Sequence, residues 1–119
     1  MPYRIAGIDV HKKMLAVVIA DVEVEEEYQF ERRRFGSTPE HLRMLCEWLL
    51  ERGVEEVVME STAQYWKPVW VALEGQCRLY LAQAQSNRGP RGRKTDFRDA
   101  QRLVSRLVAA QSPQRVEIE

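Results

Sequence analysis

The stretch YRIAGIDVHKKMLAVVIA, residues 3–20, decides the fold of this chain. Residues 3–10 predict a first strand that carries Asp9 near its end, and the polar residues 11–13 predict a turn. Residues 14–20 are almost continuously apolar, which is typical of a central strand buried on both faces. The stretch therefore predicts two consecutive strands, with a carboxylate where the first one ends.

A third strand and a helix are predicted next along the chain. Residues 23–35 alternate between charged and apolar side chains, as a half-exposed strand does. The residues Ser-Thr-Pro-Glu at 37–40 predict a helix start, because they offer a hydroxyl cap, a proline and an acid near the positive end of the helix dipole. An apolar stripe follows, and Gly53 ends the helix. We expect the three strands to form an antiparallel sheet in which each strand pairs with the next one along the chain.

The second half of the chain alternates strands with helices. Residues 54–59 predict a strand with Glu60 at its carboxyl end. An amphipathic stripe predicts a helix from Trp66 to Leu73, closed by Gly75, and residues 77–81 predict a fifth strand.

A basic segment rich in glycine and proline, residues 83–95, predicts an exposed, mobile loop. A helix is then expected from about Asp96, with the clearest apolar stripe in the chain. The order β-β-β-α-β-α-β-α predicts one α/β domain over residues 1–119. Its mixed five-stranded sheet with flanking helices would have the ribonuclease H-like (RuvC-like) architecture.

Composition narrows the class of protein. The 119 residues suit one domain, and 45% apolar with 30% charged residues is an ordinary globular balance. No apolar run approaches the roughly 20 residues needed to span a bilayer, and the first ten residues lack signal-peptide features, so we expect no membrane and a cytoplasmic location. The net charge is zero, but residues 21–31 are acidic and residues 88–106 are basic. That asymmetry can direct a polyanion to one face.

Four carboxylates form the candidate site. Asp9 and Glu60 end strands that can be neighbours, while Asp96 and Asp99 are three residues apart at a helix start and share its face. Carboxylates brought together repel each other, and a hard divalent cation such as Mg²⁺ offsets that repulsion. Each acid taken singly also has a structural explanation as a strand end or a helix cap.

Three motifs in order resemble a known family. They are Gly7-Ile8-Asp9-Val10-His11-Lys12, then Met59-Glu60-Ser61-Thr62 followed by Tyr65-Trp66, then Gly92-Arg93-Lys94-Thr95-Asp96 with Asp99-Ala100. They are similar to those of the DEDD insertion-sequence transposases with a RuvC-like domain, the insertion sequence 110 family. That family usually has glycine where this chain has Ala63, so a positive φ there would strain the alanine.

The resemblance implies a DNA transposase or recombinase, an enzyme that acts on DNA phosphodiesters during transposition of an insertion sequence. It implies that Asp9, Glu60, Asp96 and Asp99 are the catalytic and metal-binding residues, holding Mg²⁺ with Mn²⁺ as a substitute. It further implies a separate carboxyl-terminal domain with a catalytic serine, which this chain would lack, a guide RNA encoded by the element, and a homo-oligomer. The setting would be prokaryotic and nucleoid-associated.

Basic residues near these acids are candidates for salt-dependent phosphate contacts that do not read sequence. The candidates are Lys12, Arg88, Arg91, Arg93, Lys94 and Arg98. For these residues the alternative is an exposed turn or a solvated connector.

Three other functions stay open at this point. A RuvC-like Holliday-junction resolvase or nuclease would have the same fold. A nucleotide-binding half of an actin-like ATPase also begins with Gly-Ile-Asp, although residues 11–13 lack the glycines of its phosphate hairpin. A non-catalytic nucleic-acid-binding module would bind without needing the acids.

Overall fold

The computed structural model of the chain describes residues 4–21, 30–61, 63–82 and 96–110. Its elements in order are β1 (Arg4–Val10), β2 (Met14–Asp21), β3 (Phe30–Gly36), α1 (Pro39–Glu51), β4 (Val54–Ser61), α2 (Trp66–Leu73), β5 (Arg78–Ala82) and α3 (Asp96–Ala110). This is the predicted order. The first part of the predicted third strand, residues 23–29, and the predicted loop at residues 83–95 lie outside the described residues. None of the helices in the described ranges is long and apolar enough to cross a membrane.

The five strands form one mixed sheet in the order β3-β2-β1-β4-β5. β1 pairs antiparallel with β2, and β2 pairs antiparallel with β3. β4 runs parallel to both β1 and β5. The prediction of three antiparallel strands followed by alternating helices and strands is therefore confirmed, and β1 and β4 are neighbours.

One face of the sheet is covered by α1 and α2. Thr38 caps α1, since its hydroxyl oxygen accepts a 3.2 Å hydrogen bond from the backbone N–H of His41, and Pro39 follows it at the first turn. Large apolar side chains from both helices pack on this face against alternate residues of the strands. The fully buried members include Ile8, Leu15, Leu45, Leu49, Met59 and Leu73.

The opposite face is covered by α3. The apolar stripe of α3 (Ala100, Leu103, Val104 and Leu107) is buried against the sheet, as its spacing predicts. A Cβ atom added at Gly7 would lie only 2.4 Å from the carbonyl oxygen of Ala100. Glycine is therefore required at residue 7, because the backbone of α3 rests directly on β1.

Candidate active site

Asp9 and Glu60 lie side by side in the centre of the sheet. They are register partners in the parallel pair formed by β1 and β4, so their Cα atoms are about 4.8 Å apart. Each belongs to the set of alternate residues that faces α3, two residues beyond Gly7 and Val58 respectively. Only 7% of Asp9 and 6% of Glu60 is exposed. The two acids predicted at strand ends are thus brought together on one face.

Two buried carboxylates at adjacent positions carry an electrostatic cost. Like charges directly opposite each other in a sheet repel, and burial removes the water that would screen them. Hydrogen bonds offset part of this cost: over the described residues, no buried side-chain nitrogen or oxygen lacks a hydrogen-bond partner. Positive charge placed beside the pair would offset the repulsion that remains.

His11 contacts Asp9, one of the two acids. Its Nε2 lies 3.1 Å from Oδ2 of Asp9, and its backbone N–H donates a 2.9 Å hydrogen bond to the carbonyl of Met14 in the turn. The sequence analysis predicted His11 only as part of the turn at residues 11–13. The spacing to Asp9 was the available signal, since residues two apart at a strand end lie on the same side. In the Nε2–H tautomer, His11 donates to Asp9 and orients its carboxylate.

The first turn of α3 carries the other two acids. The backbone of Asp96 and Asp99 is described, and their side chains lie outside the described part of the chain. Asp99 directly precedes Ala100, whose carbonyl packs on Gly7, and Asp96 is one helical turn earlier. The backbone of this turn thus lies over the strand that carries Asp9. Where side chains are described, no three His, Cys, Asp or Glu residues converge as a metal site.

The predicted phosphate-binding residues are only partly covered by the structure. Lys12 is exposed in the turn between β1 and β2, where its backbone carbonyl accepts a 3.1 Å hydrogen bond from the Ser37 hydroxyl. Arg98 belongs to the first turn of α3, and its side chain lies outside the described part. Arg88, Arg91, Arg93 and Lys94 also lie outside the described residues.

Ala63 has the strained backbone that its sequence context suggested. Its φ is +51°, which makes it the one residue other than glycine with a positive φ in the ranges described. An alanine in this conformation costs about 1–2 kcal/mol, because its Cβ approaches a carbonyl oxygen. The strain lies shortly after Ser61, where the chain leaves β4, so it belongs to the loop that follows Glu60.

The fold is similar to that of several solved structures. RuvC of Thermus thermophilus in complex with a Holliday junction aligns with a TM-score of 0.61 at 14% identity, over 85% of this chain and 89% of that one. The Holliday junction resolvase of fowlpox virus aligns with a TM-score of 0.50 at 16% identity, over 92% and 74%. The PPX-GPPA enzyme of Aquifex aeolicus aligns with a TM-score of 0.51 at 12% identity, over 72% and 38%. At these identities the likeness establishes the fold, a RuvC-like one.

The sequence comparison gives the family. No curated protein matches the chain. A family model described as a transposase, the DEDD transposases of the insertion sequence 110 type, matches residues 6–118, which include all four predicted acids. With that match over nearly the whole chain and a RuvC-like fold, the protein belongs to the DEDD transposase family of the insertion sequence 110 type.

Proposed function

We propose that Asp9, Glu60, Asp96 and Asp99 form a divalent-cation site at which this transposase domain acts on DNA phosphodiesters during transposition. One observation carries the proposal. Asp9 and Glu60 are buried register partners on the sheet face covered by α3, and the first turn of that helix holds the other two acids.

The residues present fit a hard cation. All four candidate ligands are carboxylates, the oxygen donors that Mg²⁺ prefers and that Mn²⁺ also accepts. Two buried acids at adjacent strand positions repel each other until positive charge is supplied. When bound, such ions polarise a phosphodiester and stabilise the attacking and leaving oxygens.

The chain's own residues would hold this site in a fixed geometry. Asp9 and Glu60 belong to the two strands at the centre of the sheet, and His11 fixes the orientation of the Asp9 carboxylate through the 3.1 Å contact. The packing of Ala100 on Gly7 limits how far the start of α3 can shift. Rigid support of this kind is what places ligands reproducibly.

DNA would reach the site along a basic surface. We assign phosphate contacts to Lys12, Arg88, Arg91, Arg93, Lys94 and Arg98. Lys12 supports this role because it is exposed and lies two residues beyond Val10, where β1 ends. The proposal also includes a carboxyl-terminal domain that supplies the serine nucleophile, a guide RNA, assembly into a homo-oligomer and a cytoplasmic, nucleoid-associated location. Membership of the family supports these additions.

A Holliday-junction resolvase is the second candidate function. The alignment with RuvC bound to a Holliday junction, at a TM-score of 0.61, favours it. The two candidates differ in what the chain does alone, because a resolvase would cut four-way junctions without a further domain.

The cation site can be tested by calorimetric titration with Mn²⁺. We expect Asp9→Asn and Glu60→Gln to weaken binding at least roughly 10-fold, since each removes a charged ligand. Glu56→Gln is the matched control: Glu56 is also a buried acid of β4 on the α3 face, but it is held by Arg78 at 3.0 Å, four residues away from Glu60. Equal affinity in all four proteins would refute the site.

Incubation of the same proteins with linear duplexes and four-way junctions separates the remaining functions. Metal-dependent cutting of junctions by the chain alone, lost in Asp9→Asn, would favour the resolvase. Cation binding without cutting fits a transposase domain that needs the serine from elsewhere. DNA binding that is unchanged by loss of the acids and indifferent to Mg²⁺ would favour a non-catalytic module.

A further inference from the structure

Arg32 and Arg34 form a charged pair on β3, at one edge of the sheet. The register places Arg34 opposite Ala16 of β2, and Ala16 is in turn opposite Asp9. Arg32 is opposite Val18, which is opposite Gly7. Because register partners lie on the same face, both arginines face the α3 side of the sheet together with the carboxylates. Both are exposed.

The residues of β3 that alternate with this pair serve the other face. The guanidinium of Arg33 lies 4.9 Å from the ring centre of Phe35 and 5.5 Å from that of Trp48. Glu31 pairs with Arg52, just beyond α1, at 2.8 Å. These residues attach β3 to α1, and they lie on the face of the strand opposite to the Arg32–Arg34 pair.

Arg34, Ala16, Asp9 and Glu60 are register partners and form one row across four strands of the sheet. With neighbouring strands about 4.8 Å apart, the Cα of Arg34 lies about 10 Å from that of Asp9 and about 14 Å from that of Glu60. Arg32 and Arg34 are about 7 Å apart along the strand. Arg34 is thus on the order of 10 Å from Asp9, close enough for one DNA strand to contact both residues. The residue between Arg34 and Asp9 in this row is Ala16, which is fully buried, so the exposed part of the row is its β3 end.

A plainer role exists for arginines on an edge strand. Charged side chains there prevent the sheet from pairing with another chain. That role would be served equally by arginines on either face, whereas phosphate binding near the carboxylates needs the α3 face. Arginine also presents a planar set of donors that matches a phosphate group.

We infer that Arg32 and Arg34 bind backbone phosphates of the DNA strand whose reacting bond meets Asp9 and Glu60, on the β3 side of that site. The inference rests on the proposed function, since it requires that DNA lie at the carboxylate site. It adds a second cationic contact surface, on β3, to the basic residues near α3. The two arginines position the substrate and take no part in the chemistry.

The test compares two double variants that remove the same charge. Arg32→Gln with Arg34→Gln alters the α3 face, and Arg33→Gln with Arg43→Gln alters the α1 face, where Arg43 is an exposed residue of α1. Affinity for a fluorescent DNA duplex is measured in EDTA over a range of salt concentrations. Circular dichroism confirms that each variant is folded.

We expect the Arg32 and Arg34 double variant to lose roughly 10- to 100-fold in affinity at about 0.1 M salt. The plot of log affinity against log salt concentration should also become less steep by about 1.8, because two phosphate contacts are lost. The control should stay within about 3-fold of the unaltered chain. An equal loss of DNA affinity in both variants overturns the inference. Unaltered affinity in the Arg32 and Arg34 variant overturns it while leaving the proposed function intact. If the unaltered chain binds no DNA, both fail.

A measurement without substitutions gives an independent check. In an NMR titration with the duplex, the side-chain Nε–H signals of Arg32 and Arg34 should shift, while that of Arg33 should not. Shifts confined to Arg33, or absent from all three, contradict the assignment even if the variants do not fold.

Discussion

The two faces of the sheet are built from different kinds of side chain. The face under α1 and α2 is filled with large apolar residues such as Ile8 and Met59. The face under α3 has small residues such as Ala16 and Ala20 together with the buried acids Asp9 and Glu60. Because strand side chains alternate with period two, the same strands supply both. One face therefore serves packing alone, whereas the face under α3 combines a second apolar core with the candidate site.

A substitution on the apolar face should have the largest effect on stability. Met59→Ala removes a fully buried side chain, so we expect a loss of about 3–4 kcal/mol in the free energy of unfolding. Its neighbour Glu60 faces the other way, and Glu60→Gln should change stability by less than about 1 kcal/mol, because it also relieves repulsion with Asp9. Urea unfolding measures both.

The same two variants should differ in the opposite sense when Mg²⁺ is added. The cation should raise the melting temperatures of the unaltered chain and of Met59→Ala by similar amounts, and should raise that of Glu60→Gln much less. If Met59→Ala abolished the response while Glu60→Gln kept it, the division between the faces would be wrong.

Gly7→Ala tests the contact that joins the α3 face to the sheet. The added methyl group would overlap the Ala100 carbonyl, so we expect a loss of about 2–3 kcal/mol and weaker Mn²⁺ binding as the start of α3 moves. Gly53→Ala is the control, because its added Cβ meets no atom within 4 Å although its φ is +70°. Unfolding and calorimetry are measured together. A smaller loss for Gly7→Ala than for Gly53→Ala would contradict the close approach.

Ala63→Gly should give a smaller, stabilising change. Glycine adopts the φ of +51° without strain, and the gain exceeds its extra freedom in the unfolded chain by about 0.5–1 kcal/mol. Ala72→Gly, within α2, should instead destabilise by about 1 kcal/mol. Thermal unfolding of the pair decides the matter, and a destabilised Ala63→Gly would show that the loop tolerates alanine without strain.

The smallest effect concerns the pairing of β3 with α1. The hydrogen bond from Arg52 lowers the pKa of Glu31 below its ordinary value of 4.5. A depressed pKa means that the stabilisation is present above about pH 4.5 and is lost as the pH falls through the lower, folded-state value. Glu31→Gln should therefore reduce stability at pH 7, and the loss should shrink as the pH is lowered through the folded-state pKa, in urea titrations at pH 7 and at acidic pH. Equal losses at both would exclude a role for the charge.

Much of the architecture could be predicted from local patterns. The buried runs of β1 and β2, the cap at Thr38 and the stripe of α3 each follow from residues close together in sequence. The meeting of Asp9 with Glu60 was also predictable, because both acids were expected at strand ends that could be neighbours. The coordination of a metal by all four acids stays a prediction.

Features that depend on register could not be predicted. A slip of one residue exchanges the two faces of a strand, so the sequence alone could not assign Arg32 and Arg34 to the carboxylate side.

The contact of Gly7 with Ala100 joins residues more than ninety positions apart, and no local pattern encodes it. His11 was assigned to the turn alone because an exposed turn histidine is common.

Because residue 7 is glycine, α3 lies as close to β1 as any amino acid at that position would allow. A hydrogen atom is the smallest substituent that a backbone can carry. Any substitution at residue 7 would therefore move α3 away from β1, and none would bring it closer. The distance between β1 and α3 at Ala100 is thus already at its minimum. Variants that enlarge residue 7 stepwise would act as graded spacers for asking how tolerant the chemistry is of distance.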